Sequence, residues 1–82
     1  MKAKVYVTLK KGVLDPQGKA VAHALHSMSY KSVGDVRQGK FFEVSLHGVT
    51  RAEAEKQVKE MGEKLLANTV IEDYRFEIMD GE

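Results

Sequence analysis

With 82 residues, 9.2 kDa and a net charge of +1, the chain has room for a single domain over residues 1–82. A folded monomer of this mass buries only about 60–65% of its surface, so the core is thin, an enclosed active site is hard to build, and docking against other chains is the expected route to stability. Cysteine is absent, which excludes a disulfide scaffold, a thiolate metal site and a cysteine nucleophile. No apolar run reaches the ~18 residues of a membrane span, so a soluble, cytoplasmic protein is expected.

Residues 3–10 read as a strand, with Ala3, Val5, Val7 and Leu9 on one face and Lys4, Tyr6, Thr8 and Lys10 on the other. Lys11-Gly12 ends it. Asp15-Pro16 marks a helix start, since aspartate accepts hydrogen bonds from free N–H groups and proline suits the first helical position. Val21, Leu25 and Met28 then form an apolar stripe, and the helix is expected to stop near Ser29-Tyr30.

The middle of the chain is β-like but broken. Phe42, Val44 and Leu46 share a parity with Val36. Residues 33–46 are therefore either one long strand kinked at Gly39 or two short strands joined by a tight hairpin at Gln38-Gly39. Thr50-Arg51-Ala52-Glu53 fits a capping box, followed by an apolar stripe of Ala54, Val58, Met61 and Leu65. Glu55–Lys59 and Glu60–Lys64 are favourable i,i+4 pairs, and Asn68 is read as a left-handed C-cap. A last strand alternates Tyr74, Phe76 and Ile78 against Arg75, Glu77 and Met79.

The order β-α-β-(β)-α-β predicts an α+β two-layer sandwich, an antiparallel sheet with two helices on one face, ferredoxin-like or a near relative. The other face would then carry Tyr6 and Phe41 uncovered, a candidate oligomer surface. Charge is unevenly spread. Residues 1–40 hold eight basic residues against two acidic, and residues 41–82 hold five against ten. Such a split can steer association unless folding mixes the signs.

No catalytic constellation stands out. Gly12 to Lys19 has five residues between its glycines, and Ala20 follows the lysine, so the phosphate-loop spacing and its hydroxyl are both missing. His23 and His26 lie three apart on a helix, yet only His47 completes the histidine inventory, and solvated surface histidines are the simpler reading. Arg37-Gln38-Gly39-Lys40-Phe41-Phe42 faintly echoes an RNA-contact motif, but Lys40 spoils the register.

Four stretches together resemble a known family: Val5-x-Val7-x-Leu9-Lys10, Val13-Leu14-Asp15-Pro16-Gln17-Gly18-Lys19-Ala20-Val21, Val36-Arg37-x-Gly39-Lys40, and Leu65-Leu66-Ala67-Asn68-x-Val70-Ile71-Glu72-Asp73-Tyr74. In order and over nearly the whole chain they look like PurS, the small subunit of phosphoribosylformylglycinamidine (FGAM) synthase. Ser29 stands where many members have glycine, and Thr69 where many have proline. The resemblance implies a non-catalytic assembly subunit in purine biosynthesis, dimeric or a dimer of dimers, bridging a large synthase subunit and a glutaminase subunit and supporting ammonia transfer. It implies no metal, cofactor or catalytic residue on this chain, with ATP and magnesium on the large subunit, and neither nucleic acid nor membrane as a partner. Exposed polar motifs are the better candidates for partner contact. These are Asp15, Pro16, Gln17, Gly18 and Lys19 at the first helix start, and Arg37, Gly39 and Lys40 at the bend. Two other readings fit a small sandwich: an ACT-like ligand-binding regulatory module, and an RNA-binding module.

Overall fold

Alternation and capping place the elements of the computed structural model, which describes residues 1–80. They run β1 (Lys2–Leu9), α1 (Pro16–Ser27), β2 (Gly39–Ser45), α2 (Arg51–Met61), a π-helical turn (Gly62–Leu66) and β3 (Glu72–Met79). The sheet order is β2-β1-β3, with both pairings antiparallel. Val5 lies opposite Phe42 and Phe76, while Tyr6 lies opposite Phe41 and Arg75. One face therefore carries the apolar set, and α2, crossing from β2 to β3, packs over it. Ala3, Val5, Val7, Leu46, Ala54, Val58, Ala67 and Ile78 form the core. Among the described residues no helix is long and apolar enough to cross a membrane.

The α+β class and the antiparallel sheet are as expected, but α1 lies elsewhere than a closed sandwich requires. Because β1 and β2 are antiparallel neighbours, residues 10–38 form one long hairpin connection. No residue between Lys10 and Phe41 enters or flanks the core. Instead α1 and the returning segment make an arm. The longest dimension is 49 Å, close to a strand of about 26 Å and a helix of about 18 Å laid end to end. The radius of gyration is 16.1 Å, where a compact chain of this length has about 12 Å.

The returning segment is irregular from Val33 to Gln38, so residues 33–46 are neither one kinked strand nor a tight hairpin at Gly39. The strand begins at Gly39 because the segment before it runs along α1, where Val36 meets Gly18 rather than joining the sheet. Gly39 itself answers to close approach and not to a left-handed φ: a Cβ there would run into the Val7 carbonyl and the Thr8 methyl.

The helix ends show which local rules held. Asp15 caps α1 with Pro16 at its first position. At the other end, the Ser29 N–H donates to His26 O at 3.0 Å and the Tyr30 N–H to Leu25 O at 3.0 Å. With Ser29 at φ 77°, this is the double-bonded left-handed cap that glycine normally provides.

The capping box of α2 is complete. The Glu53 N–H donates to Thr50 Oγ1 at 3.2 Å, and the Thr50 N–H to Glu53 Oε1 at 2.9 Å. Ala54 and Val58 are buried as read, but Leu65 is 82% exposed. The π turn widens the helix after Met61 and rotates Leu66 and Ala67 inward in its place. Its start coincides with Gly62, where the Tyr74 ring lies so close that a Cβ would meet it at 2.6 Å. Asn68 is not the left-handed cap it was read as, since Ser29 is the one non-glycine at positive φ among the described residues. Asn68 opens the turn into β3 instead, its Oδ1 accepting from the Val70 N–H at 3.2 Å and its carbonyl from Ile71 and Glu72.

A serine held left-handed costs about 1–2 kcal/mol, partly offset by the unfolded-state freedom that glycine brings. Ser29→Gly is thus expected to stabilise the arm by about 0.5–1 kcal/mol. Because the arm lies outside the core, the readout is amide exchange: Tyr30 N–H protection should rise about two- to fivefold. No change in that amide rejects the strain.

Candidate partner interface

The sequence motifs meet at the neck where the arm leaves the sheet. Asp15 is 5% exposed and divides its two oxygens. Oδ1 accepts from the Gly18 N–H at 2.9 Å, as an N-cap should, and Oδ2 accepts from the Gln38 N–H at 2.8 Å. One carboxylate thereby ties the start of α1 to the end of the returning segment. Gly18 permits this, since a Cβ there would strike the Val36 carbonyl and lie 2.7 Å from Asp15 Oδ2. Gln38 Nε2 donates to Gln17 Oε1 at 2.8 Å.

Arg37 closes the same neck from the other side. Its Nη2 donates to the carbonyls of Leu9 at 3.1 Å and Lys10 at 3.0 Å, and Nη1 to Val13 at 3.4 Å. The Lys10 oxygen also accepts from the Val13 N–H at 3.1 Å, so the guanidinium draws together the turn where β1 ends. The two N–H donors, first Gly18 and then Gln38, hold the Asp15 carboxyl below its ordinary pKa, and the Arg37 charge adds to this against the cost of desolvation.

Of the eight motif residues, Asp15, Pro16, Gln17, Gly39 and Lys40 line one groove of about 410 Å³. Lys19 and Arg37 line a second with Asp15. Asp15, Gly18 and Arg37 are committed to the neck itself, while the side chains of Pro16, Gln17, Lys19 and Lys40 face solvent. Two residues of the neck were not singled out from the sequence. Gln38 is the second partner of Asp15. Glu72 pairs with Lys40 at 3.4 Å and accepts from the Asn68 N–H at 2.7 Å, which holds its carboxyl below the usual range. Glu72 is spelled out in the fourth family stretch, so that pattern was the available signal for it; Gln38 falls on the unspecified position of the third, and its residue type gave none.

Tyr6 and Phe41 lie together on the face away from α2, ring centroids 5.2 Å apart and tilted by 38°. The face is less bare than alternation implied. The Arg75 guanidinium sits 4.0 Å over the Tyr6 ring, and the Tyr6 hydroxyl donates to Glu77 at 3.0 Å, which raises its pKa. The next row across the sheet is Glu43, Lys4 and Glu77. On the arm, His26 Nε2 lies 2.6 Å from the Val33 carbonyl. Among the described residues no three His, Cys, Asp or Glu side chains converge as a metal site would require.

Open grooves, a projecting arm and polar signatures engaged in holding that arm define a small docking subunit. The chain belongs to the PurS family, whose profile, described as phosphoribosylformylglycinamidine (FGAM) synthase, matches residues 2–80. It is 62% identical over 77 residues to phosphoribosylformylglycinamidine synthase subunit PurS of Bacillus subtilis, covering 94% of this chain and 90% of that one. The crystal structure of Methanocaldococcus jannaschii PurS, described as one of the subunits of formylglycinamide ribonucleotide amidotransferase in the purine biosynthetic pathway, superposes with a TM-score of 0.87. It is 36% identical, and 99% and 98% of the two chains are covered. A chain of the PurLQS structure from Thermotoga maritima matches with a TM-score of 0.87 at 27% identity, covering 95% of each chain.

The lowered pKa of Asp15 fixes the sign of a pH effect. The carboxylate's contribution is whole above the unfolded aspartate value of about 4, and it is lost as pH falls through the lower folded value. Protection of the Gln38 amide against exchange is therefore expected to be flat above about pH 4 and to drop below it. Asp15→Asn should lower that protection already at pH 7, because one acceptor oxygen becomes an NH2 facing another donor. Equal Gln38 protection in both proteins would show that the carboxylate does not hold the neck.

Proposed function

We propose that this chain is the small, non-catalytic subunit of FGAM synthase in purine biosynthesis. The complex converts formylglycinamide ribonucleotide, glutamine and ATP into formylglycinamidine ribonucleotide, glutamate, ADP and phosphate. The observation that carries this reading is the 62% identity to the Bacillus subtilis subunit across 94% of the chain. The composition is in keeping with it: a chain without cysteine has to leave thiolate chemistry on glutamine to another subunit.

In this reading the chain works in the cytoplasm. It bridges a large subunit, which handles ATP and magnesium, and a glutaminase subunit, and it supports the passage of ammonia between them. It self-associates as a dimer or a dimer of dimers. The neck is the contact region on the chain. Asp15, Gly18, Arg37 and Gly39 give it its shape, and Pro16, Gln17, Lys19 and Lys40 meet the partner; Tyr6 and Phe41 add an aromatic patch one row away on the open sheet face. Support for the neck comes from geometry: side chains that carry no core packing converge there on an exposed groove.

Reconstitution with the large and glutaminase subunits of the same organism tests both levels. Glutamine-dependent FGAM formation is expected to require this chain, and activity with free ammonia to persist without it; glutamine-dependent turnover that ignores the chain overturns the assignment. Lys19→Glu with Lys40→Glu should lower co-purification with the large subunit at least tenfold while leaving the melting temperature within a few degrees, since surface charges contribute about 0–1 kcal/mol each to folding. Unchanged assembly by that variant rejects the neck as the contact.

A further inference from the structure

The neck gathers positive charge that the chain itself does not use. Lys10, Lys11 and Lys19 make no ion pair among the described residues, and Arg37, whose donors go to backbone carbonyls, adds its charge beside them. The carboxylates on that side are already engaged. Asp15 accepts from Gly18 and Gln38, Asp35 from the Val36 N–H at 3.0 Å, and Glu72 from Asn68 and Lys40. Asp73, opposite Thr8, lies on the other sheet face. The shape is also receptive. Two grooves flank Asp15: one of about 410 Å³ with Val7 and Leu9 in its lining and Lys40 at its edge, the other of about 250 Å³ lined by Leu14, Lys19 and Arg37. Leu14 is 64% exposed.

We infer that the neck docks an acidic segment of the large synthase subunit, whose carboxylates meet Lys10, Lys11 and Lys19 while an apolar side chain rests on Leu14. Solvated lysines at a rim cost little to approach, steer an oppositely charged partner and disfavour a basic one. They stand here on a fixed frame, because Asp15 and Arg37 hold the two segments that carry them. Nucleic acid fits this surface poorly. A run of phosphates would pass from the neck onto a body, residues 1–9 and 39–82, with eight basic residues against ten acidic, and the Tyr6 ring, a stacking platform in principle, is already covered by Arg75. The inference rests on the neck as the partner contact and adds the chemistry of what meets it.

Two reagents applied to the complex reconstituted with the large and glutaminase subunits separate that chemistry from proximity. A water-soluble carbodiimide joins an amine to a carboxylate without a spacer, so mass spectrometry should find Lys10, Lys11 or Lys19 coupled to aspartate or glutamate of the large subunit. An amine-to-amine cross-linker reports only that the neck lies near that subunit. Coupling by the second reagent alone overturns the inference and leaves the neck as the contact; coupling by neither overturns both. Carbodiimide products that join the neck only to another copy of this chain or to the glutaminase subunit also overturn it. In parallel, Lys10→Glu with Lys11→Glu should weaken binding to the large subunit about tenfold or more, and raising NaCl from about 0.05 to 0.5 M should weaken the parent by a similar factor. Lys2→Glu with Lys56→Glu, at the far end of β1 and on the exposed side of α2, changes the net charge equally and should weaken binding by less than about twofold. Equal losses from the two pairs overturn the inference, as does a neck variant that loses single-stranded RNA in place of the large subunit. Glutamine-dependent FGAM formation, measured on the same samples, reports separately on the proposed function.

Discussion

The carboxylate of Asp15 holds together two segments that run in opposite directions and share no sheet. One oxygen serves the first turn of α1, and the other holds the last residue before β2. Without that second bond the returning segment would be left to weaker ties, among them the Arg37 guanidinium, the Gln17–Gln38 contact, the His26–Val33 contact and the approach of Val36 to Gly18. A buried carboxylate that accepts two backbone N–H groups is stable in its charged form and has a fixed direction. The whole 29-residue connection between Leu9 and Gly39 takes its orientation from this one group and the arginine that faces it. Everything inferred about docking starts from that orientation.

The sheet and α2 obey a different constraint. Three strands with one helix over them supply, among the described residues, only eight buried apolar residues, and three of those, Ala3, Val5 and Val7, come from the central strand. Each large contact therefore matters to the layout. The Tyr74 ring, resting on Gly62 with its hydroxyl within donating reach of either the Glu63 carboxylate or the Lys59 carbonyl, sets where α2 loosens into its π turn. That turn brings Ala67 into the core and leaves Leu65 outside. In a larger core such a mismatch would be absorbed by neighbouring side chains; here it moves the register of the helix end.

What could be read from residues alone follows the range of the forces involved. The strand β1, the Asp15-Pro16 helix start and the Thr50–Glu53 capping box are settled within a few residues, and each stands where its local rule puts it. Ser29 at a left-handed position was legible only by comparison with a family pattern, because serine itself gives no such signal. Asn68 was assigned by residue type, and a competing local turn claims it, its side chain and carbonyl accepting from Val70, Ile71 and Glu72. Leu65 and Val36 were assigned by periodicity, and each answers to a residue outside its own stretch: the Tyr74 ring against Gly62 in the first case, the packing of Gly18 against the Val36 carbonyl in the second. The arm is the largest example. A helix with an apolar stripe states that it wants cover, and it does not state from which chain. The motif residues picked from the sequence do converge at the neck, while the inward role of Asp15, Gly18 and Arg37 needed coordinates.

The hairpin topology of that arm carries a consequence for how the chain tolerates change. The pairing of β1 with β2 is set at its open end by Thr8 opposite Gly39, upstream and downstream of everything the arm contains. Residues added or removed near the tip, between Tyr30 and Gly34, lengthen or shorten a projection without sliding one strand past its neighbour. A tag, a label or a grafted loop inserted there would stand far from the hydrophobic centre, which makes the tip the natural handle on this small scaffold.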